Sequence, residues 1–344
     1  MKNQLLILFA FLISAETFIA CSGKQNNSDK PVANSYFENI YEGVQTGGVK
    51  VIPIQTPKGT FNVWTKRIGN NPTMKVLLLN GGPGGTHEYF ECFENFFPKE
   101  NIEIIYYDQL ACGNSDNPKD TSLYDLHRYV EELEQVRIAL QLDKNNFYLL
   151  GHSWGGILAM QYALKYQDNI KGLIVSNMMA NCPEYGKYAN DVLAKQMDPS
   201  VVDSIRMMEK NEDFANPKYM ELLMGHFYNK HICRLAEWPE PLNRFFSRMN
   251  NELYVIMQGP SEFGISGKLT TWDVSAELKN INVPTLVIGA TYDTMDPKYM
   301  EWMSKQFPKG NFLLCPNGSH CCFYDDQENY FTGLIKFIKS TNKI

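Results

Sequence analysis

The sequence predicts an α/β fold in which a mostly parallel central sheet carries an inserted helical cap. Three observations predict it. Short apolar runs bounded by turn residues recur along the chain, most of them separated by segments of helical period. One of these runs leads through a Gly-x-Ser-x-Gly turn straight into a helical segment. A long stretch, 183–273, interrupts the alternation with helical patches rich in Met, Tyr, Phe and Asn and contains no run of the earlier kind.

In chain order, residues 49–54 and 61–67 flank Pro57-Lys58-Gly59 and read as an antiparallel hairpin. The runs 76–79, 102–107, 147–150, 173–176, 286–288 and 312–314 are short and continuous, as expected of strands buried on both faces. Between them, 126–140 carries apolar residues at Leu126, Tyr129, Val130, Leu133, Val136, Ile138 and Leu140 with helical period, and 157–166 follows the same logic. Strand alternating with helix implies a sheet covered on both faces. No repeat of fixed period is present, which excludes a solenoid or propeller.

The first residues read as processing rather than fold. Lys2 followed by an apolar stretch over 5–14 has the form of an export signal, too short to span a bilayer as a helix. Phe18-Ile19-Ala20-Cys21 then resembles a lipobox, with Phe18 in place of the usual leucine, so residues 1–20 are expected to be removed and Cys21 to carry lipid. Ordinary secretion with cleavage near Ala20 is the alternative. The polar run 21–34 suits a flexible tether, and the core is expected over 35–182 and 274–344 around a cap over 183–273. These segments imply an exported protein held to a bacterial membrane through Cys21.

A net charge of -6, with 32 Lys and Arg against 38 Asp and Glu and no basic cluster, excludes nucleic acid as a partner. Beyond Cys21 the remaining cysteines are odd in number and lack framework spacing, so buried free thiols are expected. Cys315, His320, Cys321 and Cys322 lack the paired short spacings of a zinc site, and neither a metal nor a cofactor is expected.

The chemistry centres on Gly151-His152-Ser153-Trp154-Gly155. A serine hydroxyl on a strained strand-to-helix turn needs a base, and the base needs an acid, in chain order Ser, Asp, His. His320 lies in a loop after the run 312–314, where it can reach Ser153. Asp293 follows the run 286–288. Asp296, next to Pro297, competes for the same role but reads more simply as a helix cap. The other histidines, His152 included, read as surface or packing residues. Asn80-Gly81-Gly82-Pro83-Gly84-Gly85 supplies a glycine-rich loop for an oxyanion, with the Gly82 and Trp154 amides as the expected donors.

These motifs, together with Tyr107-Asp108-Gln109-Leu110-Ala111-Cys112-Gly113-Asn114-Ser115-Asp116, Tyr292-Asp293 with Pro297, and Gly318-Ser319-His320, resemble those of the prolyl aminopeptidases, also called proline iminopeptidases, within the α/β-hydrolases. The resemblance covers about residues 35–339. In the cap, Gly259-Pro260-Ser261-Glu262-Phe263 and Trp272-Asp273 are similar to the tricorn-interacting branch. The resemblance implies a serine exopeptidase that releases an amino-terminal residue, proline or small apolar, from short peptides. It implies a triad of Ser153, Asp293 and His320, with Glu262 holding the free amine. No protein partner is implied. Two positions depart from the pattern: the histidine before Gly-Gly-Pro-Gly is Asn80, and a second amine-binding glutamate after the triad aspartate is Thr294. An amidase or esterase acting on amino-acid amides or other small acyl substrates is the nearest alternative, and a peptide-binding lipoprotein without turnover is the alternative of another class.

Overall fold

The computed structural model describes residues 44–343; the expected export segment, the tether and Cys21 lie outside them. Nine strands form one sheet: β1 (Val44–Thr46), β2 (Val49–Thr56), β3 (Gly59–Ile68), β4 (Lys75–Leu79), β5 (Glu103–Asp108), β6 (Phe147–His152), β7 (Gly172–Ser176), β8 (Thr285–Ala290) and β9 (Gly310–Cys315). Their order is β1-β2-β3-β5-β4-β6-β7-β8-β9. The first three strands pair antiparallel and β3 pairs antiparallel with β5, while every pairing from β5 through β9 is parallel.

The strand runs assemble because successive side chains point to opposite faces of the sheet. Leu77, Leu79, Ile105, Tyr107, Leu149, Leu173 and Val175 join one apolar core, beneath helices α1 (Leu126–Ala139) and α2 (Trp154–Tyr166). Val76, Leu78, Ile104, Tyr106, Tyr148, Leu150 and Ile174 join a second core on the other face, with the carboxyl-terminal helix Gln327–Thr341. Asp125 starts α1 by accepting a hydrogen bond from the Arg128 amide at 3.1 Å.

Two features depart from the sequence reading. β1, three residues long, has no apolar run to announce it. β9 was expected to be buried on both faces but is the sheet's last strand, and only Cys315 in it is fully buried. An edge strand has one neighbour and looser cover, which an apolar run does not reveal.

Between β7 and β8 the described chain forms helices and turns and adds no strand to the sheet, including Cys182–Tyr188, Pro199–Lys210, Pro217–Leu223, Glu240–Ser247 and Asn251–Met257. This helical cap leaves and re-enters the core where the Asn181 and Asp273 backbones bridge. The cleft under it lies at the carboxyl ends of the parallel strands, where an open α/β sheet offers a crevice.

Candidate active site

Ser153 joins β6 to α2 with φ 55° and ψ -126°, a strained conformation for a residue with a side chain. The turn closes because its flanking glycines have no Cβ: one on Gly151 would sit 2.0 Å from the Gly155 carbonyl oxygen, and one on Gly155 would sit 2.1 Å from that of Leu79. Trp154 opens α2, so its amide has no intrahelical acceptor.

His320 and Asp293 meet across 27 residues of chain, with His320 Nδ1 2.7 Å from Asp293 Oδ1. A carboxylate only accepts, so Nδ1 carries the proton and Nε2 is left as the basic nitrogen. Asp293 is fully buried and accepts further bonds from Asn177 Nδ2 at 2.7 Å and the Met295 amide at 3.2 Å. Burial alone would depress the His320 pKa, but the Asp293 charge and hydrogen bond, helped by Glu262 and Asp325, raise it above the ordinary histidine value. Asp296 instead caps the helix Pro297–Ser304 through the Lys298 amide at 2.9 Å.

The glycine-rich loop after β4 approaches the serine closely, since a Cβ on Gly81 would lie 3.1 Å from Ser153 Cβ. Gly81 and Gly82 both line the cleft, but the Gly81 amide is committed to Tyr89 Oη at 2.7 Å. Gly82 has φ 112°, a conformation open to glycine and strained for other residues. Asn80 braces the loop from beneath, donating to the Gly85 carbonyl at 2.7 Å. Gln109 continues the brace, donating to Asn80 Oδ1 at 3.4 Å and accepting from the Trp154 indole at 2.9 Å. The asparagine thus gives the glycine-rich loop a side-chain support of its own.

Glu262 comes from the cap into the same cleft, which is also walled by Tyr89, Ile232, Leu242, Phe245, Phe246 and Met249. Its carboxylate accepts from Tyr254 Oη at 2.6 Å. Burial, reinforced by the Asp293 charge, raises its pKa against the opposing pull of His320 and the Tyr254 bond. Thr294 is buried, with its hydroxyl 3.2 Å from His320 Nδ1 and 3.3 Å from Asp293 Oδ1.

Several residues here were not found by sequence reasoning. Asn177, at φ 54° just beyond β7, anchors Asp293 and also donates to the Ser319 carbonyl at 3.4 Å. His152 and His231, read as surface or packing residues, are buried, and both bond to the loop that carries His320, His231 through its backbone. The His231 carbonyl accepts from the His320 amide at 2.9 Å, and His152 Nε2 lies 2.8 Å from the His320 carbonyl oxygen. The cysteines from Cys92 to Cys322 are free and buried, and Cys322 donates to Asn177 Oδ1 at 3.3 Å.

The chain is similar to known proteins. The model of the α/β-hydrolase fold family matches residues 75–327. A proline iminopeptidase of Flavobacterium johnsoniae is 60% identical over 292 residues, 85% of this chain and 98% of that protein. One from Chitinophaga pinensis is 58% identical over 85% of this chain and 98% of its own length. Among solved structures, a proline iminopeptidase of Mycobacterium smegmatis superposes with a TM-score of 0.75 at 25% identity, covering 86% of this chain and 98% of that one. Identity of this order along nearly the whole of its relatives, on a sheet with the serine elbow after β6 and a helical cap after β7, places the chain in the proline iminopeptidase family of α/β-hydrolases.

Proposed function

We propose that the protein is a serine exopeptidase that releases an amino-terminal residue, proline or small apolar, from short peptides through an acyl-enzyme. The observation that carries the reading is a buried carboxylate, Glu262, sharing one apolar cleft with Ser153 and His320. A general esterase has no use for a charge there, whereas a free amine, cationic near neutral pH, pairs with it.

In this mechanism Ser153 Oγ attacks the carbonyl carbon of the first residue while His320 Nε2 takes its proton. Asp293 holds the imidazole in the required tautomer and stabilises its cation. The oxyanion that forms receives hydrogen bonds from the Gly82 and Trp154 amides. His320 then gives the proton to the departing nitrogen, the remainder of the peptide leaves, and water releases the acyl group by the same route in reverse. The Asp293–His320 distance and the elbow geometry at Ser153 support these roles.

The test is a comparison of kcat/KM for prolyl, alanyl and leucyl amides with free and with acetylated amines, alongside simple esters. The expected result is a strong preference for free amines. Equal rates on the acetylated series would favour the amidase or esterase alternative, and no turnover at all would favour the binding lipoprotein.

The same reading includes export and lipid attachment at Cys21, supported by Ala20 before the cysteine and the polar tether after it. Replacing Cys21 with Ser should move the protein from the membrane to the soluble fraction; unchanged membrane association would remove the anchor.

A further inference from the structure

His152 stands between Gly151 and Ser153, is 1% exposed, and uses both ring nitrogens on the machinery around it. Its Nε2 lies 2.8 Å from the His320 carbonyl oxygen, and a carbonyl can only accept, so this nitrogen carries the proton. In the neutral ring Nδ1 is then an acceptor, and the partner 3.0 Å away, Tyr89 Oη, must donate to it. With its proton spent there, Tyr89 Oη is free to accept, and it accepts from the Gly81 amide at 2.7 Å. Direction follows at every link: Gly81 N–H to Tyr89, Tyr89 O–H to His152 Nδ1, and His152 Nε2–H to the carbonyl of His320.

The surroundings keep that direction in place. Burial pushes the His152 pKa well below the usual histidine value, and the neighbouring His320 pushes it further down. Burial pushes the Tyr89 phenol up. Were His152 to become charged, its Nδ1–H would face Tyr89 Oη, which already accepts from Gly81, and the phenol proton would lose its acceptor. The Tyr89 ring itself stacks on Phe245 of the cap at 4.3 Å between centroids, so its position does not depend on the hydroxyl alone.

We propose that Tyr89 and His152 form one positioning relay that sets the oxyanion loop and the base in register on either side of Ser153. The inference rests on the proposed triad and adds to it two positioning residues outside Ser153, Asp293 and His320. The Gly81 bond fixes the Asn80–Gly81 peptide, the unit just before the one that carries the Gly82 amide, and so constrains the aim of that amide. The His320 bond fixes the backbone from which the imidazole projects. A substrate bound in the ground state asks little of either, whereas the tetrahedral state needs both to within fractions of an ångström. The relay therefore acts on kcat and leaves KM nearly alone.

The experiment uses the soluble protein with Tyr89→Phe, His152→Phe, the double variant, and His152→Gln, whose amide can still donate to the His320 carbonyl. Steady-state kinetics on a prolyl amide, a melting curve and a pH profile are measured for each. Tyr89→Phe keeps the stacked ring, so it tests the hydroxyl alone even if His152→Phe fails to fold. Each Phe variant should lower kcat by about tenfold or more with KM within about twofold. The double variant should be no worse than the poorer single one, because either change breaks the same relay. His152→Gln should recover part of the loss. The acid limb of the pH profile should stay in place, since the relay moves atoms and not the charge on His320. Losses that multiply in the double variant, a change confined to KM, or activity that falls only with the folded fraction would each overturn the relay. The triad reading is tested separately by Ser153→Ala, and retained activity there would fail that reading, whatever the relay variants show.

Discussion

The cleft has a floor from the core and a roof from the cap, and the two are built by different physics. On the floor, Asp293 and His320 are held by hydrogen bonds to residues far away in the chain, Asn177 and His231, and the glycine-rich loop by Tyr89, eight residues further on. On the roof, Leu242, Phe245, Phe246 and Met249 offer apolar surface without direction, and Glu262 supplies the charge, steadied by Tyr254. Hydrogen bonds weaken steeply with angle and so hold atoms in register, while apolar contact selects by shape. The floor is therefore where rate should be won or lost, and the roof where one substrate is told from another.

Substitutions on the floor should produce the largest effects. Ser153→Ala should lower kcat on the order of 10⁵–10⁶-fold and abolish labelling by a fluorophosphonate, with the melting curve unchanged because the hydroxyl is not a packing group. Labelling that persists in the alanine protein would put the nucleophile elsewhere. Next in size, Asp293→Asn should cost about 10⁴-fold in kcat, since an amide in that place favours the wrong imidazole tautomer. Asp296→Asn should change little, because asparagine caps a helix about as well as aspartate. Comparable kcat losses in the two variants would mean that the acid is not assigned by the 2.7 Å contact.

The floor and the roof also differ in how far the sequence exposes them. The elbow was legible because three constraints fall within five residues, 151–155: two close-approach glycines and a serine at the start of a helix. The parallel strands β4 to β8 were legible as apolar runs because both their faces are covered. What supports the elbow was not legible. Asn177 reaches Asp293 across 116 residues and His152 reaches the His320 backbone across 168, and such contacts depend on the register of β6, β7 and β8 rather than on any local pattern. The asparagine at positive φ beyond β7 carries a faint local signal, since Asn tolerates that conformation better than most residues. Thr294 was read as a missing amine ligand, yet its hydroxyl faces the Asp293–His320 pair, which only the fold reveals.

On the roof, the effects should be smaller and selective. A charge-assisted hydrogen bond between Glu262 and a substrate ammonium is worth about 1.5–3 kcal/mol, which corresponds to at least about a tenfold preference for free over acetylated amines. Glu262→Gln keeps the volume and should shrink that preference while turnover of small neutral esters survives. Matched kinetics on the free and blocked substrates decide it. A preference that is unchanged in the glutamine variant would remove Glu262 from substrate binding and leave the roof purely apolar.

The smallest effect tests whether floor and roof are electrically independent. In the proposed role of base His320 must be neutral; burial alone would lower its pKa, but the Asp293 charge and hydrogen bond, with the Glu262 and Asp325 charges, together raise it above the ordinary value. Activity should accordingly climb with pH through a limb above the ordinary histidine range, as the imidazolium loses its proton. Glu262→Gln removes one of the negative charges that favour that imidazolium, so the pKa of His320 falls and the limb moves to lower pH. The shift should be modest, because Asp293 remains and contributes more. A neutral ester is the right substrate, since its binding does not itself require the carboxylate, and kcat/KM against pH reports the free enzyme. A limb that stays where it is would show that the cap's carboxylate is not felt at the base, and one that moves upward would contradict the sign of the coupling.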